Sequence, residues 1–139
     1  MQHLSFLAVL AVALTIPVAL ASAASSNKNT VLIRHQVAHC HSWSFDGGKF
    51  VAAASGTVAK GGTVTFTNND IMPHRLFEKK GPAATFVGSP NLNKMGSRVV
   101  VKFLKAGTYV FGTKPGEDYM QGMKTTGEDN VLTLKITVK

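Results

Sequence analysis

The side chains most able to bind a transition metal are concentrated in one short stretch of the sequence. It contains three of the four histidines found after residue 23 and the chain's only cysteine: His35, His39, Cys40 and His41. Imidazole and thiolate are ligands that both copper and zinc accept, and a neighbouring thioether favours copper. The remaining one of these histidines, His74, follows Met72 and Pro73, so a site that uses both regions needs a fold that brings them together.

The elements that position these residues are predicted to be β-strands, because apolar side chains recur with a period of two. Five segments alternate in this way or are rich in β-branched and aromatic residues: 31–35, 63–67, 99–103, 108–111 and 131–138. Turns rich in glycine and asparagine separate them. Residues 83–95 are predicted to be a loop with one helical turn. The pattern therefore predicts an all-β fold, an antiparallel-rich sandwich.

Three short motifs support a more specific interpretation. Residues 57–70 form a β-rich run that ends in Asn-Asn-Asp, and His74 follows closely. Residues 106–111 form a second such strand, and Met123 lies later in a Gln-Gly-Met motif. Together these motifs resemble the cupredoxins of the plastocyanin/azurin type, over roughly residues 55–139. The resemblance implies a Greek-key cupredoxin-like β-sandwich with a copper site, in which His74 is the first histidine ligand and Met123 supplies the axial sulfur.

The sequence departs from the cupredoxin pattern where the remaining ligands are expected. That pattern places Cys and then His just after the Tyr-x-Phe strand, but here the positions hold Thr113 and Gly116. Cupredoxins run their first and third strands parallel, so the resemblance places the loop after the first strand at the same end as His74. We hypothesise that the thiolate and one or two imidazoles have moved to that loop. The predicted ligands are His74 and Cys40 with His41 or His35, completed by Met123, Met120 or Glu117.

The predicted ligands also have structural interpretations. His35 shares its strand face with apolar residues, so a core histidine bonded to a backbone carbonyl is nearly as well supported. Cys40 is a small apolar side chain when buried, and the adjacent His41 reaches the same metal only if the chain bends there. His39 is interpreted as a surface residue. A carboxylate ligand from Glu117 would give a harder metal site. The segment that contains Glu117 faintly resembles the red-copper nitrosocyanin branch, for which such a ligand is expected.

The first 23 residues are predicted to be a secretory signal peptide. Residues 4–20 are almost continuously apolar, and small residues at 21–23 form a cleavage site. An uncleaved anchor is the alternative, because a spanning helix needs about 20 apolar residues. We expect residues 24–29 to be a flexible lead-in and residues 30–139 to form one domain. The mature protein is expected in the periplasm or outside the cell, without stable membrane insertion after cleavage.

Composition narrows the classes of function. A hydrophobic content of 45% excludes wholesale disorder, and a single cysteine excludes an intramolecular disulfide. No nucleophile–base pair or pair of carboxylates is recognisable, so we predict that the protein is not an enzyme. The net charge of +8 comes without a nucleic-acid-binding motif, so we expect no nucleic-acid partner. Lys79 and Lys80, beside the predicted site, are suited to steer an acidic redox protein.

The sequence therefore predicts an exported, monomeric copper protein that transfers single electrons. A rigid sandwich would hold the ligands in one geometry for both Cu(I) and Cu(II). Copper binding, buffering or delivery without redox turnover is the first alternative, and zinc is the alternative metal. A metal-free sandwich used for protein interaction is the third interpretation.

Overall fold

The computed structural model describes residues 28–35, 41–115 and 132–139. These residues form ten strands in two five-stranded sheets. The strands are β1 (Thr30–His35), β2 (His41–Phe45), β3 (Ala53–Val58), β4 (Thr63–Asn68), β5 (His74–Lys80), β6 (Thr85–Val87), β7 (Asn91–Leu92), β8 (Arg98–Lys102), β9 (Gly107–Pro115) and β10 (Thr133–Val138).

The two sheets confirm the predicted all-β sandwich. The first has the strand order β2-β1-β4-β8-β6 and the second has the order β3-β10-β9-β5-β7. Two of the strand pairs are parallel, β1 with β4 and β3 with β10, and the others are antiparallel. The parallel pairing of β1 with β4 places the ends of both strands at the same end of the sandwich.

The core lies between the two sheets, and alternating strand residues fill it. In β4, Val64 and Phe66 are buried, and in β10 the buried Leu134 and Ile136 flank the exposed Lys135. This is the period of two that the sequence predicts. Complete burial of an aliphatic or aromatic side chain contributes about 1.5–3 kcal/mol, so these inward faces determine which side of each strand packs against the other sheet.

Aromatic side chains occupy the middle of this core. Phe103 packs edge-on against Tyr109 with ring centroids 4.9 Å apart and against Phe111 at 6.0 Å. Phe66 lies 5.5 Å from Phe111 across the two sheets. The Tyr109 hydroxyl donates a hydrogen bond to the Lys105 carbonyl at 2.8 Å, so its polar end is satisfied at the rim.

Trp43 joins the two sheets through a directed bond as well as through packing. Its ring is fully buried, and its Nε1 donates to the Thr133 carbonyl at 3.2 Å. Because Trp43 belongs to β2 and Thr133 to β10, the bond fixes the edge strand of the first sheet relative to the second sheet.

One prediction from the sequence is wrong. Residues 83–95 contain β6 and β7 instead of a helical turn. The Thr-Phe-Val sequence of β6 favours a strand and pairs with β8, whereas β7 pairs with the start of β5. Between them Gly88 has a φ of 104°, which is incompatible with a right-handed helix. In the part of the chain that the structure describes, we find no helix of the length and hydropathy needed to cross a bilayer.

Candidate metal centre

His74 is the first residue of β5 and is held inside the sandwich. Its side chain is 0% exposed, and its backbone lies opposite Leu92 of β7 and Pro115 of β9. Its Nε2 lies 3.3 Å from Oδ2 of Asp70, whose side chain is also 0% exposed. The imidazole is therefore fixed by strand pairing on both sides and by a buried carboxylate.

The turn before His74 is fixed by two further polar side chains. Asn68 donates from Nδ2 to the carbonyls of Met72 and Leu92, both at 2.8 Å. Its Oδ1 accepts the Asp70 N–H at 2.8 Å, and Asp70 Oδ1 in turn accepts the Met72 N–H at 3.0 Å. These bonds hold both carboxylate oxygens of Asp70 in defined directions, one towards the turn and one towards His74.

This arrangement fits a histidine ligand of a transition metal. A metal-binding imidazole characteristically gives its other ring N–H to a carboxylate or a carbonyl, which fixes the tautomer and makes the ligand nitrogen more basic. The contact between Asp70 and His74 has this form. With Nε2 directed to Asp70, Nδ1 is the nitrogen of His74 that would bind the metal.

The sequence predicts His74 as a ligand but does not single out Asp70 or Asn68. Both lie in the Asn-Asn-Asp segment, which from the sequence indicates a turn and forms part of the family motif. The spacing of four residues from Asp70 to His74 was the available signal. It becomes specific only when the turn directs the two side chains at one another.

The backbones of His35 and His41 lie at the same end of the sandwich as this turn. His35 and His41 are directly opposite each other at the ends of β1 and β2. In the parallel pair, Ile33 of β1 lies opposite Asn68 of β4, so the chain reaches His35 just beyond the level at which the turn to His74 begins. Cys40 and His39 lie outside the described residues. Their assignment as ligand and surface residue, and that of His35 and His41 as ligands, stays a prediction.

β9 ends at Pro115, at the same end of the sandwich as His74. Thr113, at the position where the cupredoxin pattern has cysteine, is buried in β9, opposite Leu76. Gly116, at the position where the cupredoxin pattern has histidine, and the predicted ligands Glu117, Met120 and Met123 lie outside the described residues. Within the described ranges no three His, Cys, Asp or Glu side chains converge on one point, so His74 is the predicted ligand whose surroundings are defined.

The two-sheet sandwich and the buried, carboxylate-supported His74 at its end define a cupredoxin-like domain. The family described as copper binding proteins, plastocyanin/azurin family, matches residues 38–127. The chain therefore belongs to this family of copper-binding proteins, as the resemblance implied.

Solved structures of the same class are similar to the chain at low sequence identity. A novel purple cupredoxin from Nitrosopumilus maritimus is 20% identical over 81% of this chain and 100% of its own, with a TM-score of 0.47. Amicyanin from Paracoccus versutus is 19% identical over 80% of this chain and 82% of its own, with a TM-score of 0.45. No curated protein sequence matches the chain.

Proposed function

We propose that this chain is an exported copper protein that carries single electrons between larger proteins. The observation that carries the proposal is the buried contact of 3.3 Å between His74 and Asp70, in a chain that belongs to a copper-binding family. The proposed site consists of His74 and Cys40 with His41 or His35, and it is completed by Met123, Met120 or Glu117. Bound copper would supply a one-electron couple between Cu(I) and Cu(II).

The protein's own contribution is rigidity. The imidazole of His74 is held by Asp70, and Asp70 is held by Asn68, whose side chain also ties the turn to β7. A ligand restrained in this way keeps its position when the charge of the site changes by one unit. Little structural rearrangement then accompanies each transfer, and this favours electron carriage over the release of the ion.

The proposal assigns the protein the role of a carrier and not that of an enzyme. The described acidic side chains, Asp46, Asp70 and Glu78, are engaged with backbone N–H groups or with His74, and none is paired with another carboxylate as an acid–base pair. Copper is preferred over zinc because of the family and because two methionines lie in the late loop.

The test is a copper titration followed by visible absorption, on protein recovered from the periplasm of a bacterial host. Its intact mass should place the N-terminus at residue 24; a retained leader would contradict export. The unsubstituted protein should bind one copper and show an intense thiolate-to-copper band that disappears on reduction and returns on oxidation. Cys40→Ser should lose the band, and His74→Ala should lose tight binding.

His39→Ala is the matched control, because it removes an imidazole next to Cys40 that we do not assign to the site. It should leave the band and the affinity unchanged. Tight copper binding without a thiolate band would remove Cys40 from the site and favour copper handling. A preference for zinc over copper, or no stoichiometric binding of either, would contradict the proposed function.

A further inference from the structure

One face of the second sheet carries basic side chains from three neighbouring strands. They lie on the side of the sheet that faces away from the core, and we call them the basic face: Arg75, Lys79 and Lys80 of β5, Lys114 of β9 and Lys135 of β10. Arg75 and Lys114 are directly opposite each other in the β5–β9 pair. Both are exposed, although two like charges at paired positions destabilise a sheet.

The described carboxylates do not neutralise this face. Asp70 is buried against His74, and Asp46 accepts the Thr30 N–H at the opposite end of the first sheet. Glu78 is the nearest in sequence, but it lies opposite the buried Phe111 and accepts the Ala84 N–H through Oε2 at 2.7 Å. Within the described ranges the basic face is therefore uncompensated.

The basic face is also built around an aromatic ring. Phe77 is half-buried, and Lys114 Nζ lies 4.8 Å from its ring centroid. Gly112, opposite Phe77, leaves room for the Lys79 side chain, since a Cβ at this position would meet Lys79 Cε and lie 3.2 Å from the Phe77 ring. Lys79 Nζ is anchored by the carbonyl of Leu132 at 2.8 Å. The result is a surface with an aromatic ring at its centre and basic side chains around it.

This surface adjoins the candidate metal centre through the backbone. Arg75 follows His74 in the chain, and Lys114 precedes Pro115, which lies opposite His74. A protein that covers the Arg75–Lys114 pair would therefore lie on the opposite side of this one sheet from the buried imidazole of His74. An electron carrier needs this combination of close approach and charge-guided encounter.

We propose that the basic face is the docking surface for an acidic redox protein. The inference rests on the proposed function, and it names the surface and the charge of the partner. The aromatic centre and the surrounding cations match a partner that presents carboxylates around an apolar patch. Charge complementarity of this kind raises the rate of encounter and makes it depend on ionic strength.

The first experiment needs no copper. The metal-free protein is titrated with a short poly-L-glutamate peptide, and backbone amide shifts are followed by NMR. We expect the largest shifts on the basic face, at Arg75, Phe77, Gly112 and Lys114. Reversal of three charges, Arg75→Glu with Lys114→Glu and Lys135→Glu, should weaken binding at least about tenfold.

The matched control reverses the same number of charges at the opposite end of the sandwich, with Lys60→Glu, Lys102→Glu and Lys139→Glu. The control should lower the logarithm of the binding constant by less than half as much as the basic-face variant does, although both variants change the net charge equally. Equal weakening by both variants would show a response to net charge alone and would overturn the proposal. Stronger binding to vesicles of anionic lipid than to the peptide, with shifts in the same place, would also overturn it.

The second experiment uses the copper-loaded protein and hexacyanoferrate(II). One electron passes from the iron of this anion to Cu(II), giving hexacyanoferrate(III) and Cu(I). The basic-face variant should slow this reaction about tenfold at low salt, and the control variant should not. Uncharged hydroquinone should reduce all three proteins at similar rates.

The two experiments separate the docking proposal from the proposed function. If the peptide binds at the basic face and copper does not bind, the proposed electron-transfer function is contradicted, whereas the proposed docking surface is supported. If copper binds with the expected band and the peptide produces no localised shifts, the docking proposal fails by itself.

Discussion

The carboxylate of Asp70 should control the affinity and the reduction potential of the copper site through His74. The perturbation is Asp70→Asn, which preserves shape and removes one buried negative charge. The side-chain oxygen that accepts the Met72 N–H is retained, so the amide NH₂ is directed at His74 Nε2, where Asp70 Oδ2 now lies at 3.3 Å. An NH₂ donor favours the tautomer that carries its proton on Nδ1, which is the nitrogen required for the metal.

The magnitude follows from burial. Both side chains are 0% exposed, so water does not screen the carboxylate. Loss of an outer partner of a ligating histidine typically costs about 10- to 100-fold in metal affinity. We expect the affinity for Cu(II) to fall about 100-fold and that for the less charged Cu(I) about tenfold. These losses correspond to about 2.8 and 1.4 kcal/mol of binding free energy. The tenfold difference between the two oxidation states raises the one-electron potential by about 59 mV.

The assay combines competitive titration with a chelator for each oxidation state and voltammetry of the loaded protein. Asp46→Asn is the matched control, because it makes the same chemical change at an exposed residue near the start of β1. The free energy of unfolding of the metal-free Asp70→Asn protein should lie within about 1 kcal/mol of that of the unsubstituted protein, because the turn keeps its hydrogen bond. Affinities within twofold of the unsubstituted protein in both states, with an unchanged potential, would refute this account of Asp70.

Two further predictions concern the stability of the sandwich and the position at which the family pattern has cysteine. Trp43→Phe should lower the free energy of unfolding by about 2 kcal/mol in a urea titration of the metal-free protein, because it removes both ring volume and the donor to the Thr133 carbonyl; a loss below about 0.5 kcal/mol would contradict the bridging role. Thr113→Cys in a Cys40→Ser background should restore a thiolate-to-copper band, because Thr113 lies diagonal to His74 across β5 and β9, a Cβ separation of about 7–8 Å or slightly less. Absence of the band would show that copper is held out of reach of β9.

The strands that were predictable from the sequence are those with one polar face. Residues 63–67 and 131–138 alternate cleanly, and the structure gives β4 at Thr63–Asn68 and β10 at Thr133–Val138. β2 was not predicted although Ser42-Trp43-Ser44-Phe45 alternates polar and apolar side chains, because it is short and directly follows the residues that were assigned to a ligand loop. The Ser44 hydroxyl donates to the Gly48 carbonyl at 2.6 Å, which satisfies its polar group on the face opposite Trp43.

The candidate site was predictable only as far as chemistry can be inferred from residue type. His74 stands out in its Met-Pro-His context and because the chain has few histidines. Asp70 does not stand out, because aspartate is common in turns for reasons of backbone bonding. Its role depends on the direction of one carboxylate oxygen, which Asn68 and the pairing of β5 with β7 determine together. No spacing rule contains that information.

The fold itself explains how a ligand could move from one loop to another without loss of the site. β1 runs parallel to β4, so its end reaches the level of Asn68, where the turn to His74 begins. β9 runs antiparallel to β5, so its own end, at Pro115, lies opposite the same histidine. Two segments far apart in sequence thus end at the same end of the sandwich, and the fold does not dictate which of them would carry a thiolate. What it does fix is His74 with its carboxylate, and the further ligands that we propose come from segments whose strand ends are already in place.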